Sequence, residues 1–526
     1  MFNAHPPSRS RTGTLSRPVY QPSLHSLGSS QDPGPGKRRT NVSVVRPHSL
    51  HYTTHTDPMP GVPGQNGRMD THAPAVSIRS MEENRAGEPD RADQRSHGPF
   101  LKPTRPQGNT PQQALLWSNA QGRISTDTRH LALGRTGDVS REIHPDELSP
   151  MPPGAVLQYL PGRLPLAQRV DNGQVETVAR MGRTASPMAV AVMLPNGWAR
   201  TLMPAWTVAT PSEALPFFGY TAATAVGDEI FVAALQTEDH VRWSPFQYNT
   251  PDLPRTVEQR LARSPGNRLL SHLARCALDY QCYNAQNIFY GRWEGGVAVS
   301  AGCNARCLGC ISEQPADMPP SPQERLRFVP TVEEITEIGI PHLEGGETIL
   351  SFGQGCEGEP LLQADLLERS IRALRAATSR GTIHLNTNAS SPRAVARLVE
   401  AGLDSIRVSM NSVNEERYDA YYRPKAYRFA DVEESIGICS KAGITIAINL
   451  LYMPGVNDLE WEVERLEGLV ERYGVHQVQM RNLNIDPDLY LASQPRLEGR
   501  AVGIPAMIHR LRRLCQVGNS TPALKP

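Results

Sequence analysis

From residue 296 onward, short apolar runs alternate with longer stretches that carry apolar residues at helical spacing, and this alternation repeats six times. The short runs are nearly continuous in apolar residues, as strands buried on both faces are. The longer stretches have the period of amphipathic helices, and four of them end in glycine, a common helix C-cap. We therefore expect an α/β fold in which helices cover a parallel sheet. The predicted strands are 297–300, 348–352, 382–386, 405–410, 445–451 and 475–482.

Six strand–helix units are too few to close an eight-stranded barrel. The pattern therefore predicts a partial (β/α)6 TIM-like barrel over residues 296–491, followed by a C-terminal helix and tail over residues 492–526. Reactive groups are expected where the strands end and the loops begin.

The segment upstream of this barrel has a different pattern. Residues 139–250 contain short apolar runs separated by turn residues, and the Asn-Gly pairs at 172–173 and 196–197 lie between strand-like flanks. Asn-Gly between such flanks is a strong hairpin signal, so we expect a small β-rich accessory domain. Residues 251–295 show helical spacing and predict a linker of one or two helices. The pattern fits a domain that presents substrate and a purely structural domain equally well.

Residues 1–138 are rich in proline, serine, arginine and glycine, with few clustered branched aliphatic residues. Such a composition cannot offset the entropy of ordering the chain, so we expect a disordered, low-complexity N-terminal region. Either this region is a weakly basic interaction tail, or translation begins further downstream.

Charge and hydropathy exclude several classes of protein. The formal net charge is +1, which argues against nucleic acid as a partner. The sequence has no run of 18 apolar residues, and its first residues lack the apolar stretch of a secretory signal, so we expect a cytoplasmic protein without a membrane span. Eight cysteines are too few for a disulfide scaffold in 526 residues. Three of them lie within eight residues, which indicates a metal or catalytic site in a reducing compartment.

The first predicted strand ends in SAGCNARCLGC, which places Cys303, Cys307 and Cys310 in a CxxxCxxC pattern. Thiolates so close in sequence converge at a small loop-closure cost. They can bind three irons of a 4Fe-4S cluster and leave the fourth iron without a protein ligand, which opens a coordination position for chemistry. These three cysteines are therefore the predicted metal-binding and catalytic residues.

The other cysteines leave two alternatives open. Cys276, Cys282 or Cys356 can supply a fourth thiolate to the triplet, which would then bind structural zinc, although a second cysteine knuckle is lacking. The same three residues can also bind a second cluster. Cysteines on the apolar faces of helices are, however, more often simply buried.

Four further segments follow the ends of predicted strands: SFGQGCEGEPLL, LNTNAS, IRVSMNSVNEERYDAYYRP and INLLYMPGVND. Together with the cysteine triplet they resemble the radical S-adenosyl-methionine (SAM) superfamily over roughly residues 296–484. The resemblance implies that Gly358 lets the backbone approach a ligand and that Glu359 binds the ammonium group of SAM. It also implies four polar contacts to the cofactor or substrate, from Asn388, Ser409, Asn411 and Asn449.

Two positions depart from the superfamily pattern. Asn411 replaces the more usual Asp, so its contact should be neutral and weaker. Gly309 stands where members commonly carry an aromatic residue, and glycine offers no side chain to stack on the adenine. For the polar residues, ordinary strand-end capping or turn formation is an alternative role.

The resemblance also implies a mechanism and its partners. A reduced 4Fe-4S cluster cleaves SAM to a 5'-deoxyadenosyl radical, which abstracts hydrogen from an unidentified substrate. A low-potential electron donor, flavodoxin or ferredoxin, is implied, and oxygen is expected to destroy the exposed cluster. About 40 residues follow the last predicted strand, with Cys515 alone, so we expect no C-terminal auxiliary-cluster domain of the kind found in peptide-maturing and molybdenum-cofactor members. The alternative is a non-catalytic binding protein stabilised by zinc or an Fe-S cluster.

Overall fold

The computed structural model describes residues 44–45, 113–209, 213–238 and 241–525, and the statements below concern these residues. They form a β-rich part, a group of three helices and a parallel sheet with helices around it, all within one compact unit. None of the helices in this portion of the chain is long and apolar enough to cross a membrane.

The elements fall into three groups. The strands of the β-rich part are β1 (Val44–Val45), β2 (Ala114–Ser118), β3 (Ile124–Thr136), β4 (Val139–Glu142), β5 (Leu148–Pro150), β6 (Val156–Tyr159), β7 (Arg163–Arg169), β8 (Val175–Thr177), β9 (Arg180–Met181), β10 (Thr184–Ala185), β11 (Met188–Met193), β12 (Trp198–Arg200), β13 (Met203–Pro204), β14 (Trp206–Val208), β15 (Ala223–Val226) and β16 (Glu229–Gln236). The strands of the parallel sheet are β17 (Glu294–Val297), β18 (Ile349–Phe352), β19 (Thr382–Thr387), β20 (Ser405–Met410), β21 (Thr445–Tyr452), β22 (Gln477–Asn482) and β23 (Gln516–Gly518). The helices are α1 (Leu253–Arg263), α2 (Arg268–Leu278), α3 (Tyr283–Tyr290), α4 (Val332–Leu343), α5 (Ala364–Ala377), α6 (Pro392–Ala401), α7 (Glu415–Tyr422), α8 (Phe429–Ala442), α9 (Glu460–Tyr473), α10 (Pro487–Ser493) and α11 (Ile504–Leu511).

The parallel sheet runs in chain order from β17 to β23, which confirms the predicted α/β fold. It has seven strands instead of the six expected, because β23 pairs in parallel with β22. Only three residues long, with a single apolar side chain, β23 leaves no recognisable strand pattern. The first strand ends at Val297, where the prediction had it begin, because its sequence EGGV offers two glycines and one acid instead of an apolar run.

Polar and apolar residues alternate along the inner strands, contrary to the continuous apolar runs expected. One face carries residues such as Ile406, which pack in the core that the helices line. On the other face, Arg407 of β20 reaches Glu294 of β17 at 4.0 Å and Gln479 of β22 at 3.1 Å. Because neighbouring strands lie about 4.8 Å apart, a contact across three strands requires a curved sheet. The polar residues therefore line a concave face, and the core lies on the convex side.

The β-rich part begins earlier in the chain than expected. Strands β2 and β3 fall within residues 1–138, the region predicted to be disordered, and β2 buries Leu115 and Leu116. Here the prediction is wrong, because polar residues on both sides of β2 and in the first half of β3 dilute two short apolar runs. Residues 1–112, apart from 44–45, lie outside the described residues. The expectation of disorder for them therefore stays a prediction.

Fourteen of the sixteen upstream strands join one mostly antiparallel sheet, and β9 pairs with β10. The Asn-Gly pair at 172–173 connects β7 to its antiparallel neighbour β8, as predicted. The pair at 196–197 does not form a hairpin, because β11 pairs with β2 and β6 while β12 pairs with β16. Pairing with more distant strands thus overrides the local turn signal at this position.

Residues 251–295 contain three helices, α1 to α3, where one or two were predicted. The side chain of Asn267 accepts a hydrogen bond from the N–H of Leu270 and so caps α2, which separates it from α1. α3 leads directly into β17.

The β-rich part packs against the carboxyl ends of β21 and β22. Asn482 of β22 donates from Nδ2 to the carbonyl oxygen of Trp198 at 2.9 Å. Its Oδ1 accepts from the N–H of Arg200 at 3.0 Å, so one amide side chain pairs with the backbone of β12 as a strand would. The N–H of Gly137 donates to Pro454 after β21 at 2.8 Å. The upstream strands therefore cover this side of the sheet's carboxyl edge.

Candidate functional site

The three predicted metal-binding cysteines lie after β17 on a loop without regular secondary structure. The end of α7 anchors this cysteine loop, residues 300–312. The N–H of Arg306 donates to the carbonyl oxygen of Tyr422 at 3.0 Å, and the N–H of Leu308 donates to that of Tyr421 at 2.9 Å. A helix that is distant in sequence therefore sets the backbone path between the cysteines.

Cys303, Cys307 and Cys310 are all half-buried free cysteines. Burial raises the pKa of Cys307 well above its usual range, and the charges of Cys310 and Cys303 raise this pKa further. Arg325 donates from Nη2 to Cys310 Sγ at 3.5 Å and so places positive charge beside that sulfur. The three thiols are thus close enough to interact electrostatically.

The three sulfur atoms are not all close enough together to surround a single ion. Among the described residues, the one trio of cysteine, histidine or acidic side chains with its ligand atoms within 4.8 Å of one another does not include them. At least one pair of the three sulfur atoms is therefore farther apart than this. A tetrahedral zinc ion, with Zn–S bonds of about 2.3 Å, holds its sulfur atoms about 3.8 Å apart. The positions of the three sulfur atoms therefore do not match a single tetrahedral zinc ion, whereas thiolates on a 4Fe-4S cluster bind separate irons.

The turn after β18 runs directly alongside the cysteine loop. The N–H of Gly358 donates to the carbonyl oxygen of Ser300 at 2.8 Å, and the N–H of Glu359 donates to that of Gly302 at 2.9 Å. A Cβ atom at position 358 would lie 1.8 Å from the oxygen of Gly302. Only glycine fits here, as the predicted close backbone approach requires.

The carboxylate of Glu359 is buried and points toward the end of β19. It accepts hydrogen bonds from the N–H of Leu361 at 3.0 Å, the hydroxyl of Thr387 and the N–H of Asn388 at 2.9 Å. Burial raises the pKa of Glu359 to about 7 against these three donors. A carboxylate has about four acceptor positions, so one remains for a further donor.

Asn388 links this carboxylate to the cysteine loop. While its N–H binds Glu359, its Nδ2 donates to Oδ1 of Asn304 at 2.8 Å, directly after Cys303. The structure thus brings three predicted site residues, Gly358, Glu359 and Asn388, together with the cysteine loop at the carboxyl ends of β17, β18 and β19.

Two other predicted residues form a pair further along the sheet. Asn449 on β21 donates from Nδ2 to Oγ of Ser409 on β20 at 3.1 Å, and the two residues are in register. Both are partly exposed on the concave face. Asn411 differs from them, because it is fully buried and donates from Nδ2 to the carbonyl oxygen of Arg417 and to Tyr490 Oη.

Glu357 is a site residue that the sequence reasoning missed. Its Oε2 accepts from the N–H groups of Val299 and Ser300 at 2.7 and 2.9 Å, and its Oε1 accepts from those of Gly353 and Gln354 at 2.9 and 2.7 Å. Burial raises its pKa to about 7 despite the four donors. This one carboxylate joins the ends of β17 and β18. The signal for it was the first acid of CEGEP, two residues before Glu359.

Tyrosines occupy the space that an aromatic residue at position 309 would otherwise fill. A Cβ at Gly309 would lie 2.9 Å from Tyr421 Oη. Tyr421 and Tyr422 pack edge to face, and Tyr418 stacks on Tyr422 at 4.5 Å between ring centroids. In the sequence these tyrosines lie in the segment YDAYYRP. An aromatic wall therefore stands beside the cysteine loop even though Gly309 contributes no ring.

The sequence of residues 297–466 matches the family model of the radical SAM superfamily. The matched segment includes the cysteine loop, the turn after β18 and strands β19 to β21. These residues form a radical SAM domain. Members of this superfamily bind a 4Fe-4S cluster and SAM.

Curated relatives are similar to this chain over about a third of its length. The chain is 27% identical over 193 residues to GTP 3',8-cyclase of Chlorobaculum tepidum, which covers 36% of this chain and 53% of that protein. It is 32% identical over 167 residues to GTP 3',8-cyclase of Helicobacter pylori, which covers 31% of this chain and 48% of the relative. The chain therefore spans about half the length of the curated relatives it matches.

Solved structures that resemble the chain include SuiB and HydG, both at low sequence identity. Streptococcus suis SuiB bound to S-adenosylmethionine has a TM-score of 0.30 and 12% identity, covering 51% of this chain and 61% of SuiB. HydG, a maturase of the FeFe-hydrogenase, has a TM-score of 0.29 and 15% identity, covering 47% of this chain and 57% of HydG. Scores this low carry no argument about activity.

Proposed function

We propose that this protein is a radical SAM enzyme in which Cys303, Cys307 and Cys310 bind a 4Fe-4S cluster. The observation that supports it most is the hydrogen-bonded junction of the cysteine loop with the turns after β18 and β19, inside the radical SAM domain. When bound and reduced, the cluster supplies one electron to the sulfonium of SAM, which yields methionine and a 5'-deoxyadenosyl radical that abstracts hydrogen from the substrate.

The chain's own residues bind and orient SAM in this proposal. Glu359 offers its remaining acceptor position to the ammonium group of SAM, and Gly358 lets the backbone come close to the methionine moiety. Asn388 holds the Glu359 carboxylate in place, and Ser409 and Asn449 present polar groups on the concave face. We leave Asn411 out of the contacts because its side chain is fully buried.

The aromatic wall of three tyrosines excludes water from the proposed cluster site. Tyr418, Tyr421 and Tyr422 are all buried around the Cys307 side of the loop. A reactive radical needs such a dry cavity, because water and solvent-exposed groups would quench it.

The concave face favours an anionic substrate. Arg407 and Arg481 converge on one neutral acceptor, Gln479 Oε1, at 3.1 and 3.2 Å. Burial and the charge of Arg407 together lower the pKa of Arg481 to about 10, so its guanidinium group remains protonated at neutral pH. Two guanidinium groups this close repel each other, and one carboxylate, Glu294, which lies 4.0 Å from Arg407 and also interacts with Arg481, offsets only part of their charge. A phosphate or carboxylate between them would relieve the repulsion.

Nucleoside triphosphates are the first substrates to test, because the curated relatives are GTP 3',8-cyclases. We expect a bound anionic substrate to increase the rate of 5'-deoxyadenosine formation and Arg481→Gln to remove the increase. An equal rate with and without each nucleotide would argue against this substrate class.

The cluster assignment is tested by the iron content of single variants. Anaerobically reconstituted Cys303→Ala, Cys307→Ala and Cys310→Ala should each lose the brown colour and most of the iron, because a cluster with two thiolate ligands is released. Cys439→Ala is the matched control, since this buried cysteine lies on α8 outside the loop. A full cluster in all three loop variants would overturn the assignment.

The proposed reaction needs an electron donor, and a flavodoxin or ferredoxin has the low potential required. All eight cysteines are free, in keeping with a reducing compartment such as the cytoplasm. A non-catalytic metal-binding protein gains no support from the comparisons.

A further inference from the structure

A second group of metal-binding side chains lies outside the cysteine loop. His272 and Cys276 are four residues apart on α2, so their side chains project from the same face of the helix. Cys356 lies in the turn after β18. Its sulfur and the ligand atoms of His272 and Cys276 all lie within 4.8 Å of one another. Three soft donors from two distant segments thus meet at one point.

The dimensions of this group match a single tetrahedral ion. Zinc with Zn–S bonds of about 2.3 Å and Zn–N bonds of about 2.0 Å places its ligand atoms about 3.5 to 3.8 Å apart. The distance from Cys276 Sγ to His272 Nε2 is 3.6 Å. Thiolates on a 4Fe-4S cube stand on separate irons and are farther apart, so the second cluster considered from the sequence fits this spacing less well.

Cys282 is the candidate for a fourth ligand, but it lies outside the trio whose donor atoms are within 4.8 Å of one another, so its side chain would have to move closer to complete the set. It is the N-cap of α3, and its N–H donates to the carbonyl oxygen of Cys276 at 3.0 Å. Cys276 is buried to 1% exposure and Cys356 to 4%, so an ion held there would be shielded from water. Structural zinc sites are commonly closed in this way, with four protein ligands.

We infer that the chain binds one structural zinc ion through His272, Cys276, Cys282 and Cys356. Binding converts three thiols to thiolates and releases their protons to solvent, with no change in oxidation state. The ion connects α2 and the start of α3 to the turn after β18. Because Glu357 and Gly358 follow Cys356 directly, the zinc fixes the turn that lies against the cysteine loop. The site is built from residues that the proposed cluster does not use.

The first test measures zinc and iron together in the full chain. We expect about one zinc per chain in the wild-type protein and in a variant with Cys303, Cys307 and Cys310 all changed to Ala, which retains no cluster ligands. Cys276→Ser and Cys356→Ser should lose the zinc, whereas Cys439→Ser should retain it. Iron in place of zinc, or zinc unchanged in both ligand variants, would overturn the inference. Because zinc is measured without cluster ligands, failure of the cluster assignment leaves this result interpretable.

Cobalt substitution keeps the test valid if a ligand variant does not fold. Co²⁺ added to the metal-free triple variant should give the intense visible bands of a tetrahedral site and a thiolate charge-transfer band in the near ultraviolet. Cys282→Ser should reduce the charge-transfer intensity by about one third, since two of three thiolates remain. The weak spectrum of octahedral cobalt would contradict a tetrahedral site, and full intensity in Cys282→Ser would remove that residue from the ligand set.

Discussion

The closest approach between the cysteine loop and the turn after β18 occurs at one glycine. Because a Cβ at Gly358 would lie 1.8 Å from the Gly302 oxygen, Gly358→Ala must push two backbone segments apart. We expect a loss of about 1–3 kcal/mol in the free energy of unfolding and poor iron incorporation, since the displaced loop carries Cys303. Denaturant unfolding and iron analysis measure these effects.

Gly468→Ala is the matched control for this substitution. Gly468 lies within α9, and a Cβ there would meet no atom within 4 Å. This change should increase the free energy of unfolding by about 0.5–1 kcal/mol and leave iron incorporation unchanged. Normal iron content in Gly358→Ala would mean that the close approach does not position the cluster ligands.

Glu359 gives a second prediction for a single residue. Glu359→Gln keeps the size of the side chain but removes its negative charge, so we expect SAM to bind about 100-fold more weakly, or about 3 kcal/mol, if the carboxylate pairs with the ammonium in a desolvated site. Equilibrium binding to the cluster-loaded protein measures this. Glu368→Gln on α5 alters a surface ion pair with Arg397 and serves as the control. Equal affinity in both variants would place the carboxylate outside the SAM pocket.

The site residues that could be predicted are those within short motifs. Gly358, Glu359 and Asn388 were found because each lies a few residues after a strand, where the chain order of a parallel fold brings them together. Arg325 and Tyr421 could not be found in this way, since their contacts with the cysteine loop join segments that are remote in sequence. Asn411 also follows a strand directly, one residue after Met410, but its side chain is fully buried. Position after a strand therefore does not by itself place a side chain in the site.

At the scale of elements, the parallel strands differ from the prediction in one respect: polar and apolar residues alternate along them where continuous apolar runs are expected. TIHLNT is buried on both faces as the prediction has it, and SIRVSM is buried except at Arg407 and Ser409, but both strands alternate polar and apolar residues. Parallel strands usually read as continuous apolar runs because helices cover both faces. Here polar residues are tolerated on one face because they bind one another, as His384 does with Ser405 and Asn386. The helices were predictable from their period, whereas the three-residue strand β23 was not.

The contact between α2 and α4 predicts a pH dependence. Glu334 of α4 accepts from Nε and Nη2 of Arg268 at 2.8 Å each and from the N–H of Thr331 at 2.8 Å. The Arg268 hydrogen bonds lower the pKa of Glu334 to about 2. Because this value is below that of the unfolded chain, the stabilisation is complete above about pH 4.5 and is lost as the pH falls toward 2.

Glu334→Gln should therefore lower the free energy of unfolding by about 1–2 kcal/mol near neutral pH, a figure reduced because Arg268 is half-exposed. The difference in melting temperature between wild type and variant should narrow as the pH falls from about 5 to about 3, because the unfolded wild type takes up a proton near pH 4.5 while the folded protein does not. Circular dichroism during heating measures it. A constant difference across this range would show that Glu334 does not titrate as proposed.

At the scale of the whole molecule, a buried ion pair joins the β-rich part to the barrel. Arg163 of β7 and Asp486, the N-cap of α10, are 3% and 2% exposed, and Arg163 Nη2 lies 2.7 Å from Asp486 Oδ2. The same oxygen accepts from the N–H of Leu215 at 2.8 Å. The β-rich part and the barrel should therefore unfold together.

Arg163→Ala tests this coupling. It leaves the Asp486 carboxylate buried without its cation, so we expect a loss of about 3–5 kcal/mol in the free energy of unfolding. Arg169→Ala, at the other end of β7, alters exposed pairs with Asp171 and Glu176 and should change little. Urea unfolding measures both variants. If Arg163→Ala behaved like Arg169→Ala, the pair would not hold the two parts together.

The central claim is that three thiolates leave one iron open to SAM. Its most direct measurement is 5'-deoxyadenosine formation after anaerobic reconstitution, with dithionite as reductant and SAM added. We expect the wild-type protein and Cys439→Ala to release 5'-deoxyadenosine and methionine, and Cys307→Ala to release neither. Absence of 5'-deoxyadenosine from wild-type protein that carries a complete reduced cluster, or equal amounts from Cys307→Ala, would contradict the claim.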